Sequence, residues 1–181
     1  MAFVDYLSMS SKIESDCMKE NIRRLKDYNL FHCLLAGDSK RTEAVKSRVS
    51  GLPNDFLAWL EACDGGMLFD TTMLTTKPHD PDLDLDFETY ASYTKAPLRQ
   101  DKGLADDWFV FAVAIHDDVF FFDMGKKDGK VYQWDVEQRE IYAVWKSFED
   151  WLTGQINEAV ELIANEQLEP LDIKLEVGGD D

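Results

Sequence analysis

The feature that most constrains this chain is a run of eight apolar residues, Trp108 to Ile115, followed by turn signals at short intervals. A run so short, and so rich in aromatic and β-branched side chains, suits a strand buried on both faces better than a helix. It is also far too short for a membrane span. Asp117-Asp118 is a tight-turn candidate, and Val119 to Met124 is the returning strand. Gly125 to Gly129 is a second turn, with Asp128-Gly129 its strongest local signal. Val131 to Val136 alternates, which places Tyr132, Trp134 and Val136 on one face. Gln138-Arg139 turns the chain again, and Ile141 to Trp145 is one more strand. Strands joined by such short turns pair antiparallel, because a parallel crossover needs a longer connection.

Helical patterns flank this series. Ser147 is a good N-cap, with Asp150 three residues on in an acidic variant of the capping box. Phe148, Trp151, Leu152, Ile156, Ala159 and Ile163 then follow one helical face to about Asn165. Upstream, Pro53 suits a first helical turn. Phe56, Leu57, Trp59, Leu60 and Cys63 form an apolar stripe that Gly65-Gly66 is expected to end. Met67 to Leu74 suits a strand. Ile13, Cys17, Met18, Ile22 and Leu25 predict an amphipathic helix over about residues 9–27. Gly37-Asp38-Ser39 reads as a loop and Thr42 to Val49 as a short helical piece. Lys77 to Phe87 reads as an aspartate-rich loop, Glu88 to Thr94 as a short helix, and Leu98 to Asp107 as a loop. The expectation is an α+β fold, with a mostly antiparallel sheet of about four to six strands and the Pro53 and Phe148 helices packed on it. Residues 1–181 are read as a single domain: an N-terminal helical segment over 1–49, a core over 50–167, and an acidic flexible tail over 168–181.

The chain carries 36 acidic against 19 basic residues, a net charge of −17. Such a chain repels phosphate backbones and anionic membrane surfaces, which argues against nucleic-acid and membrane partners. The charge is uneven. Residues 1–51 hold nine bases and seven acids, and residues 52–181 hold ten bases and 29 acids. Cys17, Cys33 and Cys63 are odd in number and widely spaced, with no CxxC pair. They read as neither a disulfide framework nor a zinc site, and so as a chain from a reducing, cytoplasmic compartment. Met1 to Lys12 has no basic segment followed by an apolar one of the secretory kind.

Leu52-Pro53-Asn54-Asp55-Phe56, then Trp59-Leu60 and Asp64-Gly65-Gly66, resembles the opening segment of the SUKH superfamily. Asp128-Gly129-Lys130-Val131-Tyr132 and Ser147-Phe148-Glu149-Asp150-Trp151-Leu152 resemble its later strand and helix start. Together these motifs cover about residues 50–155 in the family's order. The chain departs from the pattern in carrying Asp64 where asparagine is common, and in having an acidic insert and a long N-terminal segment. The resemblance implies a protein-binding role without enzymatic activity. Many bacterial members are immunity proteins that neutralise a toxin, often a nuclease, and eukaryotic relatives act as regulatory scaffolds in cell-wall assembly and signalling. On that basis the chain is expected to neutralise a cationic toxin of the nuclease type. A regulatory scaffold without a toxin partner, or a small hydrolase, are the alternatives.

Asp80, Asp82, Asp84 and Asp86 alternate along the acidic insert. They do not form a calcium loop: counting from Asp82, the sixth position is Phe87 rather than glycine and the twelfth is Tyr93 rather than glutamate. In an extended segment the four aspartates share one side and Leu83, Leu85 and Phe87 the other. The insert is then either a solvated acidic loop or a docking surface whose acids face a basic partner while the apolar side lies on the domain. Asp117 and Asp118 add charge, and Trp108 is a candidate half-exposed anchor. His32, His79 and His116 are scattered, and no nucleophile, metal or phosphate-loop motif is present, so no catalytic residue, metal or cofactor is expected.

Overall fold

The computed structural model describes residues 15–77, 86–87 and 97–167. Ser15 caps the first helix, α1 (Asp16–Asp27), by accepting a hydrogen bond from the Met18 N–H. The chain leaves that helix through Asn29 at positive φ and enters β1 (Phe31–Ala36). Asp38 caps α2 (Ser39–Arg48), and α3 (Asn54–Ala62) follows Pro53. The strands β2 (Cys63–Leu68) and β3 (Thr71–Met73) come next, then a short helix α4 (Pro97–Asp101). The hairpin series is β4 (Trp108–Ala114), β5 (Val119–Asp123), β6 (Val131–Asp135) and β7 (Glu140–Trp145), closed by α5 (Phe148–Ala164).

All seven strands lie in one sheet in sequence order, and every neighbouring pair is antiparallel. The α+β expectation holds, and the hairpin series falls where its turn residues place it. Two strands exceed the five that the sequence places: β1, whose apolar run Phe31 to Leu35 lacks a clean alternation and sits between loop signals, and one more because the expected strand Met67 to Leu74 turns at Phe69-Asp70 into β2 and β3. A second difference is at Gly65-Gly66, which lies inside β2 instead of ending a helix. Gly65 adopts φ +74°, and a Cβ on Gly66 would sit 2.2 Å from the Phe31 ring. Those glycines permit a close approach of β1 to β2, so the helix ends three residues earlier, at Ala62.

One face of the sheet carries α3 and α5. Phe56 from α3 is the hub, with ring centroids 5.1–6.3 Å from Phe87, Phe109, Phe111, Phe122 and Phe148. Trp151 from α5 packs edge-on to Phe111 at 5.0 Å and against Phe120 at 5.3 Å. Edge-to-face contacts of this kind add about 0.5–1.5 kcal/mol per pair beyond the burial of area. The helix α1 packs across α5 through Met18, Ile22 and Leu25, and the buried Asn21 amide donates to Thr153 Oγ1 at 2.8 Å.

The cysteine expectation is overturned in part. Cys33 of β1 and Cys63 of β2 form a disulfide, and Cys17 is free and exposed. Cysteines thirty residues apart show no framework spacing in sequence, but antiparallel pairing of β1 with β2 brings their Cα atoms to 6.0 Å. With that bridge, cysteine usage no longer argues for a reducing compartment. No helix among the described residues is long and apolar enough to cross a membrane.

Candidate partner-binding surface

The face of the sheet opposite α3 and α5 carries an aromatic row. Side chains alternate along β5, so Phe121 points away from the face that Phe120 and Phe122 share with the helices. Trp108 stacks on Phe121 at 4.0 Å, Phe121 stacks on Tyr132 at 5.4 Å, and Trp134 meets Trp108 edge-on at 5.1 Å. The segment from α4 to β4 lies along this row. Trp134 Nε1 donates to the Lys102 carbonyl at 2.9 Å, and Lys102 Nζ pairs with Asp117 at 3.2 Å. Arg99 donates to the carbonyls of Ala105 and Trp108, which holds the segment to the start of β4.

This segment sorts its charges by depth. Arg99 and Lys102, its two cations, are buried. Asp101, Asp106, Asp107 and Asp117 are exposed. Burial pushes the Arg99 guanidinium below its usual range, and the nearby Asp106 and Asp107 carboxylates oppose that shift. The outcome is a carboxylate-lined strip beside Trp108, with Arg139 as its neighbouring cation, 3.4 Å from the Asp101 carbonyl.

The structure distributes the expected site residues unevenly. Asp80, Asp82 and Asp84 lie outside the described residues, as does the short helix expected over Glu88 to Thr94. Asp86 is only 5% exposed, so it does not face a partner as the alternation suggested. The reason is backbone pairing: Asp86 bridges to Thr75, the Phe87 N–H donates to the Thr75 carbonyl at 2.9 Å, and Phe87 packs on Phe56 and Phe109. Phe87 therefore lies on the domain, as expected for the apolar side of the insert.

Trp108 is half-buried, its ring held by Phe121 and Trp134 and its rim at the surface. Asp117 is exposed at φ +68° in the β4–β5 turn. Asp118 differs from Asp117 because its carboxylate accepts from Gln133 Nε2 at 3.1 Å and from the Val136 N–H at 3.3 Å. It clamps that turn to β6 and is not free to meet a partner. Asp101, Asp106 and Asp107 are additions. The signal for the latter two was present in the sequence as a pair of acids before an aromatic strand entrance.

A second polar cluster lies at the other end of the sheet. Asp64 in β2 is 1% exposed. It accepts from Arg41 Nε at 3.0 Å, from the Thr76 N–H at 2.7 Å and from Thr76 Oγ1 at 2.5 Å. Arg41 also donates to the Ala36 carbonyl at 2.7 Å and pairs with Asp38 at 3.1 Å. Every acceptor is occupied, so this cluster locks α2 to β2 and presents no reactive group. Among the described residues no group of three or more His, Cys, Asp or Glu side chains is arranged to hold a metal. His32 lies half-buried in β1 and His116 is exposed in a turn far along the sheet, and His79 is outside the described residues.

A comparison with curated proteins finds no match. A model of the SMI1 / KNR4 family (SUKH-1) matches residues 43–154, more than half of the chain and the whole span from α3 to the start of α5. The hairpin series, the Pro53 helix, the first turns of the Phe148 helix and the glycine pair inside β2 fall within that match, and the chain belongs to the SMI1 / KNR4 family (SUKH-1).

Proposed function

We propose that the chain is a non-enzymatic protein-binding module that neutralises a cationic toxin of the nuclease type. The observation that carries this reading is the sorting of charge along residues 99–118. Both cations are buried there, while Asp101, Asp106, Asp107 and Asp117 face solvent beside a half-buried tryptophan. A nuclease needs a basic groove for its substrate, and such a groove is the natural counterpart of a carboxylate strip on a chain of net charge −17. We assign Asp80, Asp82 and Asp84, which lie outside the described residues, to the binding surface on their charge in the sequence alone. Long-range attraction brings the partners together, and burial of the Trp108 rim slows their separation.

The test is co-expression with a basic nuclease-toxin domain. The expected result is a stable complex in which nuclease activity is abolished and the host survives. A complex that leaves nuclease activity intact would refute neutralisation and favour a scaffold. Absence of any complex with a basic partner would refute the charge argument itself.

A further inference from the structure

The outer edge of β7 is unlike the rest of the surface. Three of the six large apolar side chains exposed among the described residues, Ile141 at 42%, Tyr142 at 71% and Val144 at 51%, come from this one strand, while Tyr28, Met67 and Ile115 lie on other elements. Among the described residues no strand pairs with its outer edge, because β7 ends the sheet order. Ile141 and Val144 sit opposite Trp134 and Tyr132 of β6, so the patch continues the aromatic row. The ends of the strand carry opposite charges. Glu140 opens it and Lys146 follows it, both are exposed, and neither forms an ion pair among the described residues. Glu140 also lies opposite Asp135 in the ladder, which places two carboxylates side by side across a strand pair.

We infer that a second copy of this chain covers β7, related by a two-fold axis beside Ala143. A two-fold axis reverses the strand direction, so it sets the acid end of one copy against the base end of the other. Lys146 of the second copy then reaches Glu140 and Asp135 and relieves the like-charge pair, twice per dimer. Tyr142 and Val144 meet their counterparts across the axis as an aromatic and a β-branched pair. The register shift between Gln133 and Trp134 leaves Tyr142 without a partner on β6. The bulge interrupts a continuous backbone ladder there, so side chains make most of the contact. Each copy carries −17, so the copies repel at long range. Added salt screens that repulsion beyond about 10 Å and leaves the apolar contact intact, which makes the dimer stronger at high salt.

The experiment is sedimentation velocity on the full chain over a concentration series at low and high salt. The expected result is a reversible shift from 20.8 kDa to twice that mass, favoured by salt. Glu140→Lys and Lys146→Glu each place like charges together and should weaken the dimer about tenfold. The double swap Glu140→Lys with Lys146→Glu should restore it to within about threefold, and Val144→Asp should abolish it. Circular dichroism and urea unfolding confirm that each variant is folded. A chain that stays monomeric at every concentration and salt overturns the inference, as does a dimer indifferent to Val144→Asp or a double swap that fails to recover. None of these outcomes bears on toxin binding by the carboxylate strip, which lies on other residues.

Discussion

Arg41→Ala removes the only cation that touches the buried Asp64 carboxylate among the described residues. Stripping one partner from a buried ion pair costs about 3–5 kcal/mol when the remaining charge is uncompensated. Asp64 here keeps two neutral donors, the Thr76 N–H and hydroxyl at 2.7 and 2.5 Å, each offsetting about 1 kcal/mol. The expected loss is therefore about 1–3 kcal/mol. With a urea m-value of about 2 kcal/mol/M for a domain of this size, the midpoint should fall by about 0.5–1.5 M. The mechanism makes a stronger claim than the single variant. Asp64→Asn abolishes the charge that needs Arg41 while keeping an acceptor for Thr76. Arg41→Ala with Asp64→Asn should therefore lie within about 1 kcal/mol of wild type, well short of the sum of the two single effects. A single Arg41→Ala variant within about 0.5 kcal/mol of wild type, or a double variant no better than additive, would refute this account of the cluster.

Phe56→Ala should cost about 3–5 kcal/mol in the same assay, since five aromatic rings lose their hub. Gly66→Ala should destabilise by about 1–3 kcal/mol, because its methyl would overlap the Phe31 ring, and Phe31→Leu in the same chain should recover part of the loss. Alkylation in denaturant without reductant should label one cysteine, Cys17, and all three after reduction; three labelled cysteines before reduction would show that Cys33 and Cys63 are unbridged. For pH, burial pushes the Asp128 carboxyl up, but hydrogen bonds from the Tyr132 hydroxyl and the Lys130 N–H outweigh it and hold the group below its usual range. A depressed carboxylate stabilises the fold above its ordinary value near 3.8 and ceases to do so as pH falls through the folded value. Burial, then the bond to Asp128, raises Tyr132, whose contribution is present below its ordinary value near 10 and lost above it. Asp128→Asn should flatten acid unfolding, read by a fluorescence titration.

The parts of the fold legible in sequence are those with strong local punctuation. Asp117-Asp118, Asp128-Gly129 and Gln138-Arg139 each mark a hairpin, and the stripe from Phe148 to Ile163 marks α5 because local period and burial agree there. Of the two strands missed, β1 has no such alternation, its register being set by contacts with β2 about thirty residues away in sequence, and the β2–β3 turn runs through Phe69 at positive φ, an atypical turn residue. The same non-local pairing hides the disulfide, and it explains why a Gly-Gly pair that usually ends helices lies within a strand. Asp64 shows the limit most clearly. Its departure from the family's usual asparagine was visible, but the cation that makes a buried carboxylate tolerable is Arg41, outside the span that the family model matches.

The surface was legible as a net charge and less so as a place. Alternation along the insert put Asp86 in water, whereas backbone pairing with Thr75 draws it into the domain. Asp118 looked equivalent to Asp117, yet it is spent on holding a turn to β6. Composition cannot say which cations are buried. Burial of Arg99 and Lys102 is what leaves the neighbouring acids dominant at the surface.

The most direct test of the proposed binding account is the association rate with a basic nuclease-toxin domain, measured by stopped flow as a function of salt. Electrostatic steering raises association rates by about 10 to 1,000-fold at low salt. Wild type should therefore associate fast and slow steeply as salt is added. Asp106→Lys with Asp107→Lys should start slower and show a flatter salt dependence, while Trp108→Ala should leave association unchanged and speed dissociation. A charge-reversed strip that associates at the wild-type rate, with the wild-type salt dependence, would contradict the claim that this surface meets the partner.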